Sequence, residues 1–195
     1  MRPFEFIILF CSFAYALALT HIFFAITRMI RHRRVLTFSA AHAAWMALAL
    51  VLAVFNWFAL WDLHATPVMS LGTTFVVLGI VATQYFVCAL VAPDFDEPNP
   101  DGGESYDMRV FHAREGRTYM GAVLVLMVYS LVANLWGALA GGVGNWGAQN
   151  LAVLAMAPFA VLPLVVRAAW AQVLSPLVLM VAALVLMALY YPALR

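Results

Sequence analysis

The chain has 195 residues, of which 66% are hydrophobic and 10% charged, and a formal net charge of +1. A soluble domain of this size has no means of hiding so much apolar surface, and nucleic acid is not an expected partner of so apolar and near-neutral a chain. Lysine is absent, which excludes a retinal Schiff base and with it the rhodopsin type of helical bundle.

What remains is an all-α integral membrane bundle covering 1–195 as one domain. Six transmembrane helices are expected over about 4–30, 36–61, 68–92, 117–139, 149–168 and 173–193, with short loops and one longer acidic cytoplasmic loop. The first run is nearly unbroken hydrocarbon, and at ~1.5 Å per residue about 20 residues cross the ~30 Å bilayer core. No small-residue cleavage site leads from it into a polar region, so a removed export signal is not expected. Arg31, His32, Arg33 and Arg34 end it. A second run follows at once, so the arginines occupy a tight turn between antiparallel helices. After a short loop containing Pro67, the third run ends at Pro93. Acidic residues from Asp94 to Asp107 are then mixed with Pro98, Pro100, Gly102 and Gly103, a composition for a solvated loop. Pro98 stands fifth from Asp94, where a calcium loop needs a ligand, so no such site is expected. Arginines and aromatics between Tyr106 and Arg117 predict a short interfacial helix leading into the fourth run. Gly141 to Gly147 reads as a flexible turn. Pro158 and Pro163 fall inside the fifth run, and Pro176 in the first turn of the sixth, where proline is tolerated.

Arginine sets the orientation, since short cytoplasmic loops collect positive charge. With the first turn inside, Arg28, Arg31, Arg33, Arg34, Arg109, Arg114, Arg117 and Arg167 are cytoplasmic, and Arg2 and Arg195 outside. The expected location is the bacterial inner membrane, multi-pass, with both termini periplasmic. Trp57, Trp61, Trp136 and Trp146 then mark the outer boundary and Trp170 the inner one. Cys11 and Cys88 lie too far apart to bridge and read as small core residues.

Chemistry in such a chain must come from polar groups within the bilayer, which persist there when they face the bundle and find partners. Counted from the arginine turn and from Pro93, His21, His42 and Gln84 come out at similar depth. Ser39, His42, Met46, Ala49, Ala53 and Asn56 share one stripe of the second helix. A polar seam of His21, Ser39, His42 and Gln84 is therefore expected among the first three helices, acting first as a packing device. A second reading makes His21 and His42 the axial ligands of a b-type haem, with Arg28 near a propionate. No metal site is expected, because further ligands at that depth would have to be Gln84 or Cys88. A third reading is a small transporter or channel using a helix interrupted at Pro158 and Pro163, although the membrane middle carries no carboxylate. The histidines form no HxxxH, HxxHH or HExxH cluster, and no catalytic constellation is expected. His32 and His112 read as solvated or headgroup contacts. Arg31, Arg33, Arg34 and Arg117 are placed to meet anionic lipid headgroups. The leading expectation is an oligomeric or accessory assembly subunit, partnered by copies of itself or another membrane protein.

Overall fold

The computed structural model describes residues 3–65, 70–95, 106–139 and 146–190. The expected acidic loop (96–105), the glycine turn (141–145), Pro67, Arg2, Arg195 and the last residues of the sixth run lie outside them, as do the side chains of His64 and Trp146. The elements are α1 (Pro3–Arg31), β1 (Leu36–Thr37), α2 (Ala40–Ala59), a 3-10 turn (Leu60–Ala65), α3 (Leu71–Val91), β2 (Tyr106–Asp107), α4 (Met108–Leu139), α5 (Trp146–Val165) and α6 (Ala169–Tyr190). All six α-helices are long and apolar enough to cross a membrane, and their outward surfaces carry exposed Phe, Leu and Val. The chain is a multi-pass membrane bundle.

Local chemistry sets where the helices begin. The Ser39 hydroxyl accepts from the His42 backbone N–H at 3.3 Å, and Ser70 from Thr73 at 3.1 Å. These are side-chain caps for helix donors that have no carbonyl partner. Ser39 is extended, so α2 starts at Ala40 rather than at Leu36. Arg28 and Arg31 occupy the last turn of α1, where positive charge complements the helix dipole.

The segment expected as a separate interfacial helix is instead the first part of α4, one helix of 32 residues. Its arginines interrupt the hydropathy but not the backbone, because a helix that continues past the bilayer keeps its own hydrogen bonds in water. Just before it, β2 pairs in parallel with β1, matching Leu36 with Tyr106 and Thr37 with Asp107. The Tyr106 N–H donates to the Val35 carbonyl at 3.1 Å and its hydroxyl to the Phe95 carbonyl at 2.8 Å. His32 is correspondingly not a solvated residue. It is half-buried, stacked on Phe95 at 5.8 Å between ring centroids and edge-on to Tyr106 at 5.6 Å. Both ends of the connection between α3 and α4 are thereby fastened to the arginine turn.

Helix α2 is the centre of the bundle, touching α1, α3, α4 and α6 and burying His42, Trp45, Met46, Leu48, Ala49 and Ala53. The α3–α4 contact includes two glycines one heptad apart, each covered by an aromatic ring. A Cβ on Gly72 would stand 2.5 Å from Trp136 Cζ2, and one on Gly79 2.5 Å from Tyr129 Cε1 and Cζ. Missing side chains let the aromatic rings lie on the helix backbone, the packing that membrane helices favour. Helix α5 packs on α4 and α6, and α6 on α2, while α1 forms an edge against α3 and, less extensively, α2.

Candidate functional site

The expected seam is divided among three places. Because α2 is surrounded, successive residues of its polar stripe meet different neighbours. His42 is also the third residue of α2, whereas His21 lies ten residues before the end of α1, ~15 Å along the helix. The similar depth inferred from the sequence assumed that α2 began at Leu36, and β1 and the Ser39 cap remove that assumption.

The first place is a hydrogen-bond network between α2 and α3. Asn56 Nδ2 donates to Gln84 Oε1 at 2.9 Å, and Gln84 Nε2 donates to the Ala49 carbonyl at 3.3 Å and toward Cys88 Sγ at 3.4 Å. Gln84 and Cys88 are fully buried. The amide spends its donors and an acceptor inside the protein, and Ala49 is small enough for α3 to reach its backbone. These bonds join α2 to α3.

The second place joins α2, α4, α5 and α6 at the arginine-bearing end. Pro176 is the eighth residue of α6 rather than a first-turn proline. Having no N–H, it offers nothing to the carbonyl four residues back, that of Gln172. Trp45 Nε1 donates to this carbonyl at 3.2 Å. The Gln172 side chain works in the other direction, its Nε2 donating to the Pro163 and Val166 carbonyls at 2.8 and 2.9 Å. It closes the end of α5, which runs uninterrupted through Pro158 and Pro163. The carbonyl freed by Pro176 is thus supplied by Trp45, and the Gln172 side chain ties the end of α5 to the start of α6.

His42 sits at the same junction with no exposed surface. Its ring is edge-on to Phe111 at 5.0 Å and to Tyr119 at 6.1 Å, and neither ring nitrogen has a hydrogen-bond partner. Edge contacts with aromatic faces recover part of the desolvation cost. Next to it, and not at a solvated surface, His112 Nδ1 is hydrogen-bonded to the Tyr119 hydroxyl. No three His, Cys, Asp or Glu side chains converge on a metal position among the described residues.

The third place faces out of the bundle. His21 is exposed on α1, and its Nε2 lies 3.0 Å from the Tyr85 hydroxyl of α3, the rings edge to face at 5.2 Å. His21 and His42 thus face different surroundings, His21 exposed beside Tyr85 and His42 buried beside Phe111 and Tyr119. Arg28 lies with its guanidinium carbon 4.5 Å above the Phe24 ring, on the helix that carries both.

The sequence did not single out Tyr85, Trp45, Gln172 or Tyr119. Only Trp45 carried a signal, as an indole too deep in its helix for the interface. Arg31, Arg33, Arg34 and Arg117 are exposed at one end of the bundle. Compared with known proteins, the chain matches no family model, no curated protein and no solved structure.

Proposed function

We propose that the protein is a multi-pass subunit of the bacterial inner membrane that works by lateral association with membrane protein rather than by catalysis, its arginine-bearing end cytoplasmic and both termini periplasmic. The supporting observation is the outward-facing His21 and Tyr85 pair. His21 lies near the middle of a span running from Phe4 to Arg31, where a polar group turned toward hydrocarbon is costly. A protein surface against α1 removes that cost. Several of the polar groups inside the bundle support the same reading. Asn56, Gln84, Trp45 and the Gln172 amide are engaged with one another or with backbone carbonyls, as suits a scaffold. The orientation rests on the arginines at the end of α1, the start of α4 and the turn between α5 and α6, and Arg31, Arg33, Arg34 and Arg117 there would meet anionic headgroups.

Native mass spectrometry of the protein released from nanodiscs cut directly from its membrane tests the reading. Assemblies heavier than the 21.5 kDa chain are expected, with protein accounting for the added mass. A population consisting of single chains with lipid alone would overturn it.

A further inference from the structure

His42 is a fully buried imidazole whose two ring nitrogens both lack a hydrogen-bond partner. As the third residue of α2 it lies at the arginine-bearing end, beside the first backbone N–H groups of the helix, whose partial charge is positive. From α4 it is faced by Phe111 and Tyr119, with His112 next to them. The two histidines are provided for differently. His112 Nδ1 is hydrogen-bonded to the Tyr119 hydroxyl, and the Gln172 side chain of α6 stands beside the ring. Gln172 Nε2 is spent on the Pro163 and Val166 carbonyls, which leaves its amide oxygen to accept. A Cβ on Gly116 would stand 3.6 Å from the Tyr119 hydroxyl and 3.7 Å from His112 Nδ1, so the pair lies over bare backbone of α4. His112 thus has an acceptor beside each nitrogen, and His42 has one beside neither.

The helices packed around α2 bring no negative charge to this place. Helix α6 contains no charged residue, and neither does α5 beyond it. Helix α3 carries only Tyr85 and Cys88 as titratable groups, and these are bonded to His21 and Gln84. Helix α1 ends in Arg28 and Arg31, charges of the same sign as a protonated imidazole. On α4 the titratable neighbours are His112 and Tyr119. The carboxylates nearest to them along the chain are engaged, Asp107 Oδ1 accepting from the Arg109 N–H and Glu115 pairing with Arg114.

We propose that acidification at the arginine-bearing end opens the contact between the start of α2 and the first part of α4, with His42 the group that takes up the proton. A protonated imidazole has two N–H donors, and the closed packing offers an acceptor to neither. Water supplies both once the contact opens. The proton therefore binds the open form in preference to the closed one. Opening becomes more favourable as pH falls below about 6.5, where a solvated imidazole titrates, and is independent of pH well above it. The pairing of β1 with β2 and the Tyr106 bonds hold the start of α4 to the arginine turn, which confines the movement to this junction.

The test is amide hydrogen exchange of the full chain in vesicles of phosphatidylethanolamine and phosphatidylglycerol, read by mass spectrometry between about pH 7.5 and about pH 5 and divided at each pH by the intrinsic rate. Protection in 43–49 of α2 and 112–120 of α4 is expected to fall together by about thirtyfold, the response to one proton taken up by the open form. Protection in 77–87 of α3 is expected to stay level. H42F and H42L each put an apolar side chain in place of the imidazole, and either one that folds serves the test. Such a variant is expected to keep native protection at the upper pH and to lose its dependence on pH. Native protection that is level across the range overturns the proposal. A fall of native size in a folded His42 variant overturns it too, because another group would then take up the proton. An equal fall in 77–87 also overturns it, since the bundle would be loosening as a whole.

Discussion

Replacing Trp45 with phenylalanine is expected to destabilise the bundle by about 1–3 kcal/mol, the cost of leaving a buried carbonyl without its donor. The carbonyl is that of Gln172, which Trp45 Nε1 reaches at 3.2 Å. What distinguishes this from ordinary loss of packing is the proline that creates the need. Pro176→Ala restores an N–H four residues after Gln172 and lets the helix pair that carbonyl itself. W45F is therefore expected to cost distinctly less in the P176A background than in the native one. The readout is equilibrium unfolding in mixed micelles for the four members of the cycle, and the coupling between the two substitutions is the quantity of interest. Equal cost of W45F in both backgrounds would show that the indole contributes by packing alone.

Gly79→Leu is expected to have the second large effect, because the contact between α3 and α4 is closed over a missing side chain. Even a single added carbon would stand 2.5 Å from the Tyr129 ring, and overpacking of this kind costs about 1–3 kcal/mol or more. Tyr129 is on the far side of the contact, so adding Tyr129→Ala is expected to recover part of the loss. Gly121 provides the control within α4. A Cβ there meets nothing within 4 Å, and Gly121→Ala is expected to leave the unfolding midpoint unchanged or raise it slightly, by helix propensity. If Gly79→Leu unfolds like the native protein, the two helices do not approach as closely as the structure has them.

Much of this architecture is readable from the residues. A run long enough to cross hydrocarbon has few ways to fold, so each of the six helices overlaps its expected span. Depth was harder. Ser39 before Ala40 and Ala41 is a helix-start signal, and giving it priority over hydropathy would have placed His42 in the first turn of α2. Hydropathy alone ran the helix back to Leu36, because a two-residue strand paired across 70 positions leaves no mark in either segment. The α2–α3 network was half legible. Asn56 fell on the polar stripe of the second helix and Gln84 in the expected seam, but a stripe gives a direction and not a partner, and His42 on the same stripe meets α4. The prolines were visible, but the consequence of Pro176 was not, since the indole that answers the carbonyl it frees is 127 residues from Gln172. Periodicity could not turn His21 outward either. Helix α1 is apolar on every side, and the side turned inward is the one that buries Cys11, Tyr15, Ala18, Ile22 and Ala25.

Whether the outward side of α1 meets protein or lipid is measured most directly by electron paramagnetic resonance on a spin label at Phe13→Cys in bilayers, with Leu184→Cys on α6 as reference. Both native side chains are exposed, at 69% and 41%. Lateral association through α1 predicts restricted motion and low access to dissolved oxygen at position 13. Position 184 is expected to be mobile and freely reached by oxygen. Equal, high oxygen access at both positions would contradict it, and would leave His21 facing the lipid.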